Sequence, residues 1–147
     1  MLAHNAVLRV HCHATEDEDR VRRALALLAG DLEPARSLAE GHFKNPIVVL
    51  EVAAERRQAL AVWERIRAFP PVAAQLRAEA ERRVDDFATA YARFDKQRAY
   101  QGELALTQGD DAIHLRSKLA AFPSKKGPAV QALVEFLAGG PGQPPQP

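Results

Sequence analysis

The side chains best suited to binding chemistry in this chain stand together at residues 93–102. Two cations, an amide and a phenol ring follow one another there: Lys96, Arg98, Gln97 and Tyr100. Such groups suit contacts with the phosphates, ribose and bases of a nucleic acid. An ordinary turn explains them equally well, since Asp95 can bond nearby backbone amides and Gly102 can redirect the chain. The stretch is therefore either a contact surface or an internal brace.

The segment that leads into this stretch is predicted to be a strand. Its residues alternate with a period of two, which is typical of an extended chain whose faces meet different surroundings. One face carries Phe87, Thr89, Tyr91 and Arg93, and the other carries Ala88, Ala90, Ala92 and Phe94.

Two further strands are predicted to carry cations on one face only. Residues 6–14 form the first strand, and residues 113–119 form the clearest strand of the chain. The outward residues are Arg9, His11 and His13 on the first and His114, Arg116 and Lys118 on the second. If the strands pair in one antiparallel sheet, these rows and Arg93 lie on the same exposed side, opposite a layer of helices.

The other elements follow from periodicity and from helix-breaking residues. We expect a helix ending at Gly30, a loop at 31–46, a strand at 47–53, helices at 55–68 and 72–84, a short strand at 103–106 and a last helix from Pro128. Trp63 lies on the apolar stripe of its helix and is expected in the core. Together these elements predict a two-layer α+β fold: an antiparallel sheet of about four strands, with helices on one face and the other face partly open. Residues 1–138 form the single domain, and 139–147 are expected to be a disordered tail rich in glycine, proline and glutamine.

The acidic run Thr15-Glu16-Asp17-Glu18 has two interpretations. Thr15 as helix N-cap, with Glu18 three residues later, fits a capping box, and this explains the run without a ligand. Closely packed carboxylates could also hold a metal ion. His11 and His13 share a strand face, but two ligands without identified partners do not make a site, so no metal and no cofactor is expected.

The segment before the strand at 47–53 combines His42, Phe43, Lys44 and Asn45. Rings and amides of this kind read splayed bases of single-stranded RNA. The alternative is that Phe43 packs into the core and Asn45 with Pro46 only turns the chain.

Composition excludes several classes of protein. The chain has 147 residues, a formal net charge of +1 and 27% charged residues, so an RNA site must come from where the cations lie and not from their surplus. The single cysteine, Cys12, excludes an internal disulfide. The sequence lacks a membrane-spanning apolar run and a signal-peptide pattern, so we expect a cytoplasmic protein.

Three blocks of the sequence, taken together, resemble the archaeal RNA-binding protein family that is described as a predicted exosome subunit. They are Thr15-Glu16-Asp17-Glu18, Gly41-His42-Phe43-Lys44-Asn45-Pro46-Ile47 and the stretch at 93–102, and the likeness extends to about the last helix. The resemblance implies a small cytoplasmic protein that binds RNA in RNA processing, with a fold similar to that of the ribosomal protein at the five-S RNA site.

Three functions compete on this evidence. The favoured one is RNA binding through Arg9, His11, His13, His42, Lys44, Asn45, Arg93, Lys96, Gln97, His114, Arg116 and Lys118. The second is an assembly subunit that docks on exosome or other RNA-processing subunits, or pairs with a second copy of itself; no membrane partner is expected. The third is a phosphodiester-acting enzyme, because His13-Ala14-Thr15 fits a His-x-Thr element, but a partner motif is missing after His114. We therefore expect a protein without catalytic activity.

Overall fold

The computed structural model describes residues 1–40 and 45–139 of the chain. The strands are β1 (Asn5–Cys12), β2 (Ala35–Glu40), β3 (Pro46–Glu55), β4 (Thr89–Asp95) and β5 (Ala112–Lys118). The helices are α1 (Glu18–Ala29), α2 (Arg57–Arg67), α3 (Pro70–Ala78), α4 (Ala80–Arg83), α5 (Lys96–Tyr100) and α6 (Lys126–Ala138). The strands form one antiparallel sheet in the order β2-β3-β1-β5-β4, and the helices pack on it. The predicted α+β class is therefore confirmed, with five strands in place of about four.

The core lies between the sheet and the helices. On β1, Leu8 and Val10 are fully buried while Arg9 and His11 are exposed, as the alternating pattern predicts. Trp63 of α2 is 1% exposed, and its indole N–H donates to Ser117 Oγ of β5 at 2.9 Å. Ser117 in turn donates to the Asn5 carbonyl at 2.6 Å, so helix and sheet share a buried polar link. The prediction of Trp63 as a core residue is confirmed.

The predicted loop at 31–46 contains a strand instead. Residues 35–40 form β2, which pairs with β3 at the edge of the sheet. All six residues of β2 are exposed. Without a buried face the segment has no alternation of polar and apolar residues, so the sequence pattern could not reveal it.

The start of α1 also differs from the prediction. Asp17, not Thr15, is the N-cap, and its side chain accepts a hydrogen bond from the Asp19 amide at 2.9 Å. The expected capping box does not form, because Glu18 bonds Arg22 and Arg36 instead of turning back to the cap. Gly30 ends the helix with a φ of 62°, as its position predicted.

Two further elements differ from the predictions, and others have shifted boundaries. The helix predicted at 72–84 is two helices, α3 and α4, and Pro70 and Pro71 open α3, where proline is tolerated. The short strand predicted at 103–106 is reduced to one bridge between Leu106 and Phe94. The tail predicted at 139–147 lies, after Gly139, outside the described residues. No helix among the described residues is long and apolar enough to cross a membrane.

Candidate nucleic-acid interface

The face of the sheet opposite the helices carries polar residues in rows that cross the strands. One row runs through Glu51, Arg9, His114 and Arg93, which are successive partners on β3, β1, β5 and β4. The next row runs through Ala53, Val7, Arg116 and Tyr91 on the same strands. The predicted cationic face therefore exists, and it brings Arg9, Arg93, His114 and Arg116 together.

A groove of about 1070 Å³ lies over these rows. Arg82 and Arg83 of α4 border it near β4, and Thr107 and Gln108 also contribute to its lining. The basic residues that line it are Arg9, His11, Arg82, Arg83, Arg93, His114 and Arg116, and the acidic ones are Glu51 and Asp85. The groove therefore has a local positive charge that is larger than the net charge of +1 of the whole chain would indicate.

The cations of the groove differ in their partners. Arg93 pairs with Asp110 at 3.2 Å, but the Asp110 side chain is 99% exposed, so this pair is weak and easily exchanged. Arg83 pairs with Glu79 at 3.0 Å and is held beside β4. Arg9 and Arg116 form no ion pair within the described residues, and both are exposed. These two arginines are the ones whose charge is most available to a ligand.

Tyr91 places an aromatic ring in the groove, where it is 46% exposed. Its hydroxyl donates to Asp85 at 3.2 Å, and Asp85 also accepts from the backbone amides of Phe87 and Thr89. Asp85 accepts hydrogen bonds first from the Thr89 amide and then from the Phe87 amide and the Tyr91 hydroxyl, and their effect on its pKa is larger than that of burial. They lower the pKa of Asp85, so this carboxylate stays ionised. Asp85 therefore fixes both the ring and the turn before β4.

His11 lies on the open face beside Arg9. Partial desolvation on the sheet, and then the charge of Arg9, lower the pKa of His11 below 6.5. His11 is consequently neutral at neutral pH. His13 follows β1 and faces Asp111, with 3.7 Å between Nε2 and Oδ1.

Lys96 departs most from its predicted place. We expected its ammonium at the surface, yet the side chain is 0% exposed. Nζ donates to Glu16 at 2.8 Å and to the His11 carbonyl at 2.9 Å, and lies 2.5 Å from Asp111. An ammonium that is held by these oxygens cannot reach a ligand in the groove. Lys96 is thus part of an internal brace, which fastens α5 to the end of β1.

Glu16 is the other half of this brace. Burial alone would raise the pKa of its carboxyl, but hydrogen bonds from Lys96, Tyr100 and the His13 amide lower the pKa to about 2. Tyr100 donates to Glu16 at 2.6 Å, and burial together with this carboxylate raises the pKa of the phenol. The acidic run therefore does not form a capping box; Glu16 instead shares the Lys96 ammonium with Asp111. The carboxylates of Glu16 and Asp111 and the imidazole of His13 lie within 4.8 Å of one another.

The other predicted contacts do not line the groove. Gln97 is exposed on α5, and Asn45 is exposed just before β3. Lys118 donates to the Phe87 carbonyl at the end of the sheet. His42 and Lys44 lie outside the described residues.

Sequence reasoning missed Arg82 and Arg83, which line the groove. They belong to a run of arginines and glutamates in the predicted helix at 72–84, a pattern that is typical of a solvated helix face. The break between α3 and α4 and the bridge from Val84 to Ala90 bring this short helix to β4. No local sequence signal marks that placement.

Known proteins are similar to this chain over most of its length. A family profile described as RNA binding matches residues 5–119. The chain is similar to RNA-binding protein PAB1135 of Pyrococcus abyssi, with 38% identity over 146 residues, covering 93% of this chain and 95% of that protein.

Two solved structures show the same fold. Mth689, a DUF54 protein from Methanothermobacter thermautotrophicus, is 35% identical with a TM-score of 0.82, covering 93% of this chain and 99% of that one. Protein SSO0741 from Sulfolobus solfataricus is 20% identical with a TM-score of 0.73, covering 91% and 97%, and shows likeness of fold alone. From the match over residues 5–119 and the identity to PAB1135, we conclude that this chain belongs to the RNA-binding protein family.

Proposed function

We propose that this protein binds RNA in the groove over the open face of its sheet. The observation that carries the proposal is the cluster of arginines from four separate segments around one concave surface, in a chain whose net charge is only +1. Cations gathered in this way neutralise phosphates and account for most of the affinity of nucleic-acid binding. The family to which the chain belongs supports RNA binding, although it does not indicate which surface binds.

The residues of the groove take different roles in this proposal. Arg9 and Arg116 contact phosphates, since they are exposed and form no ion pair among the described residues. Arg93 joins them when RNA displaces the exposed carboxylate of Asp110. Tyr91 offers a ring for stacking on an unpaired base, which favours single-stranded RNA over a duplex. Gln97, Asn45 and Lys118 contribute at the margins, while Lys96 only positions the elements around it.

The test is fluorescence-anisotropy binding to a labelled single-stranded RNA and to a duplex at several salt concentrations. The double variant Arg9→Ala, Arg116→Ala removes two charges from the groove, and Arg23→Ala, Arg77→Ala removes two exposed charges from the helices. We expect the groove variant to bind RNA at least about tenfold more weakly. The slope of log K against log salt concentration should also become smaller by about two. The helix variant should bind like the wild type. Equal weakening by both variants, or no binding by the folded wild type, would refute the proposal.

We further propose that the protein binds RNA without catalysing a reaction on it. We also propose that it acts in RNA processing together with subunits of a larger complex, for which the exosome is one candidate. Its resemblance to the ribosomal protein at the five-S RNA site stays a prediction. His13 of the His-x-Thr element lies against Asp111, outside the set of residues that line the groove. Incubation with RNA and with cyclic phosphates should give no product, and turnover that His13→Ala abolishes would contradict this part.

A further inference from the structure

The edge strand β2 presents a surface that the proposed RNA site does not use. Among the described residues β2 pairs only with β3, and its six residues are exposed on both faces of the sheet. Its outward N–H and C=O groups are therefore available to another strand. Edges of this kind pair with other chains unless they are blocked by charge, proline or a covering element.

An uncovered apolar strip accompanies this edge. Leu38 lies at the middle of β2, is 66% exposed and stands opposite Val48 of β3, which is only partly buried. In the register of the sheet, Leu38 and Val48 lie on the same face as the buried Leu50 and Val10, which is the helix side. Val48 packs against the edge of the core, and Leu38 continues the apolar surface outward, where it is largely exposed.

The sequence of β2 is complementary to itself. When two copies of β2 pair antiparallel about a twofold axis, one residue lies opposite its own copy. With Leu38 in that position, Arg36 of each copy faces Glu40 of the other copy, which gives two ion pairs. Arg36, Leu38 and Glu40 share the helix side, so both ion pairs flank the joined apolar strip. Arg36 already donates Nε to Glu18 at 3.2 Å, which holds the guanidinium beside the strand.

We propose that two copies of this chain associate through β2, about a twofold axis at Leu38, into one sheet of doubled width. The axis stands perpendicular to the sheet, so the open faces of both copies lie on the same side. The surface does not depend on RNA binding, and neither Arg36 nor Glu40 lines the groove.

The test is analytical ultracentrifugation of the full chain over a concentration series, with the variants Arg36→Glu and Glu40→Arg. Wild type should form a dimer. Each variant alone brings like charges together at both pairs and should weaken the dimer at least about tenfold. An equal mixture of the two variants restores opposite charges at both pairs, so it should dimerise like the wild type. Circular dichroism of each variant confirms that it is folded.

Three results would overturn the proposal. They are a wild type that stays monomeric up to its solubility limit, a dimer that neither substitution weakens, and a mixture that stays as monomeric as its components. Because restoration in the mixture requires two folded partners, loss of structure cannot imitate the expected result.

Discussion

Nζ of Lys96 lies 2.8 Å from Oε1 of Glu16, and the lysine side chain is wholly buried. The two residues are 80 positions apart, so this contact closes α5 onto the start of α1. Breaking a buried ion pair by removing one partner leaves the other without its counter-charge, which commonly costs more than the pair contributes in isolation.

We expect Lys96→Met to lower the free energy of unfolding by about 3 kcal/mol, because Glu16 and Asp111 lose their shared cation. Urea denaturation at pH 7 measures the change. Lys125→Met, at an exposed position, is the control and should leave stability nearly unaltered. A loss no larger than that of the control would mean that the buried pair is not a stabilising brace.

The pKa of Glu16 predicts how stability depends on pH. Its folded pKa of about 2 lies below the ordinary value of 4.5, so the folded state binds this proton more weakly than the unfolded state does. The stabilisation is fully present above pH 4.5 and is lost as pH falls towards 2. It amounts to about 3 kcal/mol.

Denaturation curves of Glu16→Gln and wild type between pH 7 and pH 2 isolate this contribution. The variant should be less stable at neutral pH, and the difference should shrink below pH 4.5. Glu103→Gln, which alters an exposed pair with Arg98, is the control for removal of a carboxylate. A difference that is constant across the range would contradict the assignment.

His11 predicts a pH dependence of RNA binding. Since desolvation and Arg9 lower its pKa below 6.5, the imidazole gains its charge only in more acidic solution than an ordinary histidine. RNA affinity should therefore fall as pH rises through a range centred below 6.5, by up to about fivefold from this residue. A histidine with an unperturbed pKa would place the midpoint at ~6.5 instead. His11→Gln should remove this part of the change in anisotropy titrations, and an unchanged pH profile would exclude His11 from the site.

The hydrogen bond from Trp63 to Ser117 predicts that removal of a single hydroxyl group lowers the free energy of unfolding. Ser117→Ala leaves the indole N–H of Trp63 and the carbonyl of Asn5 without their partner, so unfolding should become easier by about 1–3 kcal/mol. Ser124→Ala, at an exposed turn, is the control. Thermal denaturation of the two variants compares them, and equal stability would show that water replaces the hydroxyl.

The sequence predicted those parts of the site whose signal is local. Arg9 and His11 alternate with buried residues of β1, so their common face follows from the period of a strand. The same reasoning placed His114 and Arg116 correctly, because β5 is covered on one face only. Alternation fails for β2, where neither face is buried and nothing constrains the order of residues.

The burial of Lys96 could not be read from its neighbours in sequence. Charged residues are mostly exposed, and only partners that are distant along the chain, Glu16 above all, make this one an interior residue. The position of Arg83 against the Tyr91 carbonyl, at 3.4 Å, likewise depends on where α4 settles against the sheet.

The enclosure of Lys96 makes it a chemical reporter of the folded state. An amine-reactive reagent that modifies the exposed Lys125 should leave Lys96 untouched while its ammonium is sealed from solvent. Mass spectrometry of labelled peptides over time would then follow how often the junction between α5 and β1 opens, since modification at Lys96 counts those openings. Lys96, whose charge first suggested a surface contact, thus reports on the interior, because protection of its amine from the reagent measures how well the interior is closed.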